Sequence, residues 1–498
     1  SYNTAVGACT LFANTTGASN TGVGYKALAA NTCGHHNTAS GAYALNYNTT
    51  GANNTATGYR SLYVNTTGAY NTASGFYALK SNTTAGGNVA VGGYNLAYNT
   101  TGGYNSGVGY ASLFNNTTGA RNNAFGYATM YTNTTGADNA AFGFCALISN
   151  TTASFNTAFG SCTLVANTTG ANNTAVGYQA LKSLTSNTTG DQNTGMGYCA
   201  LEGNTTASYN SAYGSKALGA NTTGAQNTAS GTCALFTNTT GATNTAHGYK
   251  ALKANTTAGG NTASGWYSLH NTSTGGTNTA MGSRSAQYNT TGALNVAVGY
   301  ASLWKNTTGS HNTALGQFAL AYSTTASNNT AVGSSALQAN TTGYNNTSTG
   351  MHSMSANTTG NSNTAHGFGA LASNTTGPMN VGIGYQALLK NTTADGNIAI
   401  GAASQLATTT GGNNVSIGGD TLLKNTTGIN NVAISKDAMQ CNVSGQGNVA
   451  VGLKALLINI SNNYNTAVGT CAMYNTRGNC NVAMGYASLL ANTSGEYN

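Results

Sequence analysis

Charge is almost absent from this sequence: Asp, Glu, Lys and Arg make up 4% of 498 residues, with 7 acids against 15 Lys and Arg. So few carboxylates leave no paired-acid constellation for general acid–base chemistry at any useful spacing. A calcium-binding repeat is excluded as well, since it needs an acid in each coil and Asp occurs only five times. The net charge of +8 comes from isolated Lys and Arg, not the clustered basic face that neutralises nucleic-acid phosphates. No apolar run approaches the roughly 18 residues that span a bilayer. The seven His are scattered. His247 and His366 share a repeat position but lie seven coils apart, and His35-His36 is an isolated pair. No catalytic residue, metal site, cofactor, nucleic-acid partner or membrane insertion is expected.

What is present is order. A single Pro and 68 Gly do not fit ordinary globular domains, and the 40% hydrophobic content is too high and too regular for a disordered linker. The sequence matches itself at a period of 17 residues, in 29 copies beginning at Asn3, Asn20 and Asn37 and ending with the one at Asn481. The consensus is N-T-A-V-G-Y-x-A-L-x-x-N-T-T-G-A-x, numbered below as places one to seventeen. The copy at Asn173 carries a three-residue insertion and the copy at Asn465 lacks one residue. Residues 1–498 therefore read as one continuous array. A partial repeat stands at each end, which suggests a piece of a longer fibre or head-to-tail stacking of protomers, and Ser1 suggests a processed N-terminus.

Seventeen residues are too few for a helical repeat and suit one coil of an all-β parallel solenoid, with two or three short strands per coil. At a sheet spacing of about 4.8 Å, 29 coils predict a rod on the order of 140 Å long. Place five is Gly in 28 copies, among them Gly7, Gly24, Gly58, Gly177 and Gly299, with Ser435 the exception; this strictness implies positive φ or no room for a Cβ. Place three is always Ala, Gly or Ser. Place nine is Leu or Met in 27 copies, including Leu11, Leu28, Leu45, Leu62, Leu181, Leu303 and Leu489. Stacking turns it into a continuous core ladder. Ala286 and Gln405 depart from it, and Leu406 is placed to slip inward beside Gln405. Asn at places one and twelve suits turns and can form amide ladders up the stack.

With places three and five facing inward, places four and six face outward. Val6, Phe125 and Phe142 at place four, with Tyr59, Tyr178 and Trp266 at place six, then form an apolar stripe for association with parallel copies; the alternative is that place four belongs to the core. Asn-Thr-Thr recurs in 21 copies, so Asn14, Asn65, Asn116 and Asn306 are candidate N-glycosylation sites, or members of a turn ladder. Six of the nine Cys occupy place seven. Cys145 and Cys162, one coil apart, are either a disulfide or two free thiols. Places seven, ten, eleven, sixteen and seventeen carry most of the charge (Lys80, Lys182, Arg284, Lys305 and Lys390) and would form the solvent face.

The segments Asn397-Ile398-Ala399-Ile400-Gly401, Asn448-Val449-Ala450-Val451-Gly452 and Asn481-Val482-Ala483-Met484-Gly485 resemble the N-S-V-A-I-G signature of trimeric autotransporter adhesin heads, a repeat similar to those in some phage and large-virus tail fibres. The period here is longer than in that family, and most copies read Asn-Thr-Ala. The resemblance implies a homotrimer of left-handed parallel β-rolls around a common axis. The expectation is a structural fibre or adhesin shaft, extracellular or on a cell or virion surface, that displays a face to a cell-surface or glycan receptor. The alternatives are a self-assembling matrix filament and an ice-binding solenoid using ranked Thr such as Thr15 and Thr16.

Overall fold

The computed structural model describes residues 2–182 and 190–498. The three-residue insertion of the Asn173 copy, with its Asn-Thr-Thr, lies outside the described residues. The fold is an all-β parallel solenoid. Among the described residues each copy of the repeat contributes one three-residue strand at places two to four, giving 29 strands from Thr4–Val6 to Val482–Met484.

The chain falls into two units, Ser1–His247 with Asn255–Thr257, and Gly248–Ala254 with Ala258–Asn498. In the first unit each strand pairs in parallel with the next in strict register, for example Thr4 with Thr21 and Thr21 with Thr38. The second unit repeats the pattern, as in Val381 with Ile398 and Ile398 with Val415. Register is set by size: the middle strand residue is Ala, Gly or Ser and points inward, and a slip by one residue would bury the larger neighbours instead.

One strand per coil, not two or three, is the main departure from expectation, and the backbone explains it. Gly299 at place five has φ +124, and a Cβ there would stand 2.8 Å from the carbonyl of Gly316 in the next coil. Extended structure therefore stops at place five. Beyond it, places seven and nine are left-handed, as in Lys26 (φ 56) and Leu28 (φ 50). Such a conformation costs an L-residue about 1–2 kcal/mol. Hydrogen bonding between coils offsets that cost. Lys26 N donates to Ala8 O in the preceding coil at 3.0 Å, and Leu28 N donates to Ala44 O in the following coil at 3.0 Å. The non-strand backbone is thus also bonded from coil to coil, at places seven, nine, eleven and thirteen. Ser435, the non-glycine at place five, takes φ 99.

The core is narrow and made of the same few side chains in every coil. Place three, place eight and the place-nine Leu are buried, and Leu28, Leu45, Leu62 and Leu303 have no exposure while Leu181 retains 6%. Leu11 is half-buried and Leu489 is 37% exposed, because each lies in a terminal coil of the stack. Gln405 corrects one expectation: it points inward with no exposure, while Leu406 stays half-buried outside. The amide of Gln405 is held by Ser416 Oγ at 2.8 Å and by the carbonyl of Ile398 at 3.1 Å. The Ser at place three in the next coil gives the amide nitrogen a partner, while Gln405 Oε1 is buried without one.

Two amide ladders complete the interior. At place twelve, Nδ2 of each Asn donates to Oδ1 of the Asn one coil earlier, as from Asn65 to Asn48 and from Asn82 to Asn65, both 2.8 Å. At place one, the backbone N–H of Asn54 donates to Asn37 Oδ1 at 2.9 Å, and Nδ2 donates to Gly68 O at 2.9 Å. Where Ser323 or Thr408 replaces the place-twelve Asn, Oδ1 of Asn306 or Asn391 in the rung before is buried without a partner.

Three substitutions test this geometry. Thr408→Asn restores a donor to Asn391 and an acceptor to Asn425, and should stabilise the chain by about 1–2 kcal/mol, read as a raised urea midpoint. Gly299→Ala should cost at least ~2 kcal/mol. Gly93→Ala, where a Cβ meets nothing nearer than the Tyr110 ring at 3.5 Å, should stay within about 0.5 kcal/mol.

Candidate interaction surfaces

Because places one and three turn inward, places two and four of each strand stand on the outside. Val6 is 57% exposed, and Phe125 and Phe142 are half-buried, their rings stacked at 4.9 Å and 4° with Phe159 5.6 Å beyond Phe142. Place four is therefore surface, not core. The outward strand face is most uniformly apolar in five consecutive coils of the second unit. There both outward positions are branched aliphatic: Val381 and Ile383, Ile398 and Ile400, Val415 and Ile417, Val432 and Ile434, Val449 and Val451.

Place six is also exposed, at 37% for Tyr59, 48% for Tyr178 and 44% for Trp266. The stripe anticipated across places four and six is nevertheless two separate lines, because the glycine corner at place five lies between them. Place-four rings stack on place-four rings. Place-six rings instead meet one another and place seven, place seven in turn reaches place ten, and place ten meets place eleven. Tyr59 lies 5.6 Å from Tyr77, Tyr43 lies 6.1 Å from Tyr63, and Tyr47 lies 5.1 Å from Tyr63. The signal for this second surface was the recurrence of Tyr and Phe at places seven, ten and eleven, positions read as variable because they also accept charge.

Those charges lie against the rings. Arg60 stands within 5.0 Å of the Tyr63 centroid, Lys80 within 4.9 Å of Tyr77, Arg284 within 5.1 Å of Trp266, and Lys305 within 4.8 Å of Tyr322. Each is a cation over an aromatic face. Hydrogen bonding to the hydroxyls of Tyr249 and Tyr267 holds the Lys250 ammonium above the usual lysine range. Lys182 is half-buried and Lys390 is exposed. On the turn side, Arg121 and Asp138 at place seventeen of adjacent coils form a two-pronged ion pair at 2.6 and 2.8 Å, and the guanidinium holds the Asp138 carboxyl below its ordinary range.

The remaining chemical groups are dispersed. His366 bonds Thr349 of the preceding coil through its ring nitrogen, and His35 Nδ1 accepts from the Ala18 N–H at 2.9 Å. Cys145 and Cys162 are free thiols, and burial pushes the Cys145 thiol up. At place thirteen the Thr hydroxyls are engaged, Thr15 Oγ1 donating to Thr32 O at 3.0 Å. The exposed, ranked Thr are those of place fourteen, such as Thr16, Thr50 and Thr67, and of place two, such as Thr38, Thr55 and Thr72.

The candidate glycosylation sites sit inside. Asn65, Asn116 and Asn306 have no exposure, and Asn14 in the first coil is half-buried. Nδ2 of Asn116 donates to Asn99 Oδ1 at 2.7 Å and to Gly119 O at 2.9 Å. Both amide hydrogens are used, so a glycan on this nitrogen breaks the ladder.

A scan against protein-family models finds no match, and a search of curated proteins finds no significant similarity. The surfaces are therefore interpreted from their own chemistry. When the chain is passed through a glycosylating secretory route, the folded fraction should carry no glycan at Asn65, Asn116 or Asn306. Peptide mass mapping of material separated by protease resistance checks this, and occupied sites in the resistant fraction would contradict the ladder.

Proposed function

We propose that this chain is a structural part of an extracellular, cell-surface or virion-surface fibre, in which three parallel copies pack through their outward strand faces. The observation that carries the reading is the apolar line of places two and four. In five successive coils it sets branched aliphatic side chains in register on one face, with Ile398 37%, Ile400 36% and Ile417 39% exposed. A repeated apolar strip of this kind is an association surface. A parallel partner with the same rise per coil can match it rung for rung, which a globular partner cannot. The resemblance of these same segments, such as Asn397-Ile398-Ala399-Ile400-Gly401, to trimeric adhesin heads supports three copies. The aromatic and cationic line at places six, seven and ten lies beyond the glycine corner. In such an assembly it would remain free to meet a cell-surface or glycan receptor, with repetition supplying avidity.

Sedimentation equilibrium of the purified chain should give the mass of three chains. Ile400→Glu combined with Ile417→Glu should shift the mass to that of one chain, with the far-ultraviolet circular dichroism unchanged, because both side chains point away from the core. A wild-type chain that stays monomeric at tens of micromolar (an order-of-magnitude choice for obligate oligomers) would overturn the proposal.

A further inference from the structure

Along the aromatic line of the first unit lies a slot of about 500 Å³. Its floor is Ala111 and Ala128, which occupy place seven of two consecutive coils. One wall is Tyr110 and Tyr127 at place six, their rings 5.7 Å apart and 11° from parallel. The opposite wall is Phe114 and Tyr131 at place ten, 4.9 Å apart and 6° from parallel. Tyr94 closes one end, 5.9 Å from Tyr110 and 6.1 Å from Phe114, and Ile148 borders the other. None of the lining side chains is charged.

The repeat supplies its own comparison. Three coils before Tyr110, place seven is Arg60, whose guanidinium occupies the corresponding space. It stands 5.3 Å from Tyr59 at place six, 5.0 Å from Tyr63 at place ten, and 5.4 and 5.9 Å from Tyr43 and Tyr77 at place seven of the flanking coils. Lys250, also at place seven, lies 4.9 Å from Tyr249 and 5.3 Å from Tyr267. Arg60 thus shows that rings at places six and ten can hold a cation between them, and Lys250 shows the same for rings at places six and seven. At Ala111 and Ala128 the walls are kept and the cation is missing. Lys80 rests on Tyr77, the rung before Tyr94, and does not line the slot.

We propose that this slot binds a free organic cation, an alkylammonium or guanidinium head, between the Tyr110–Tyr127 and Phe114–Tyr131 walls. Within each wall the rings stack on one another, so the negative side of the quadrupole reaches the slot through the offset parts of those faces and through Tyr94, turned 73° from Tyr110 and 58° from Phe114. The uncharged lining offers no carboxylate, so a compact, strongly hydrated inorganic cation gains nothing there. A weakly hydrated organic cation exchanges little solvation for several aromatic faces. The site does not depend on the oligomeric state, since all of its residues belong to one chain.

The test is ligand-observed NMR of the intact chain with choline and methylguanidinium, beside 3,3-dimethylbutan-1-ol as the neutral shape analogue of choline. Saturation transfer to the choline methyls, an upfield ring-current shift and a dissociation constant on the order of 1 mM are expected, roughly tenfold tighter than for the neutral alcohol. Ala128→Arg should abolish the choline signal by filling the slot as Arg60 fills its own, and Tyr127→Leu should weaken it several-fold. Equal binding of choline and the alcohol would overturn the proposal, because the slot would then be merely apolar. A choline signal unchanged in both folded variants would also overturn it, by placing the cation on another aromatic pair.

Discussion

Every residue in this fold rests on the residue one repeat away at the spacing of a β-sheet, about 4.8 Å. That constraint makes each of the seventeen places a column of like side chains, and a column is admissible only if its members pack or bond with themselves. Leu passes by dispersion, Asn by amide-to-amide hydrogen bonds, Gly by letting one carbonyl approach the next, and aromatic rings by stacking. Charge fails this test. Like charges stacked at sheet spacing repel, which accounts physically for a chain in which only 4% of residues are charged. Some of the charges that do occur pair with the opposite sign, as Arg121 with Asp138, or lie over rings, as Arg60 does.

The same constraint determines where energy is stored and recovered. A left-handed Leu in each coil is costly in isolation, yet it turns the N–H of place nine toward the next coil while place seven donates to the coil before. Backbone polarity is thereby satisfied in both directions with only three strand residues per coil. Conformational cost within a coil is exchanged for hydrogen bonds between coils, so stability resides in stacking more than in any single turn. The interruptions are local for that reason. Ser323 and Thr408 each orphan one carbonyl oxygen in the rung before them while register continues on both sides.

Function on such a scaffold is written on the outer columns, since the inner ones are committed to packing. The two outward lines differ in chemistry. The strand line is aliphatic and flat where Val381 to Val451 run, which suits association with another copy. The line past the glycine corner is aromatic and cation-rich, which suits recognition. Substitutions along this second line change a surface without touching the core. Ala at place seven in two consecutive coils is one such substitution, and it opens a slot without altering the wall.

The period, the Gly column and the Leu and Asn columns made the solenoid legible from the sequence, because repetition at seventeen residues leaves few other ways to bury one Leu and one Ala per copy. The inward places followed from size alone, as did the amide ladders from Asn at places one and twelve. What only the tertiary structure decided was direction. The left-handed backbone at Leu28 reduced two or three strands to one, and the corner at Gly299 separated places four and six into different surfaces. Stacking buried Asn65, Asn116 and Asn306 within a motif that reads as exposed. It also brought Tyr59, Tyr63 and Arg60 together from places that vary too much to look like a site. Each of these depends on which way a side chain leaves the coil, and that angle is set by hydrogen bonds to the neighbouring coil and is not encoded within any single repeat.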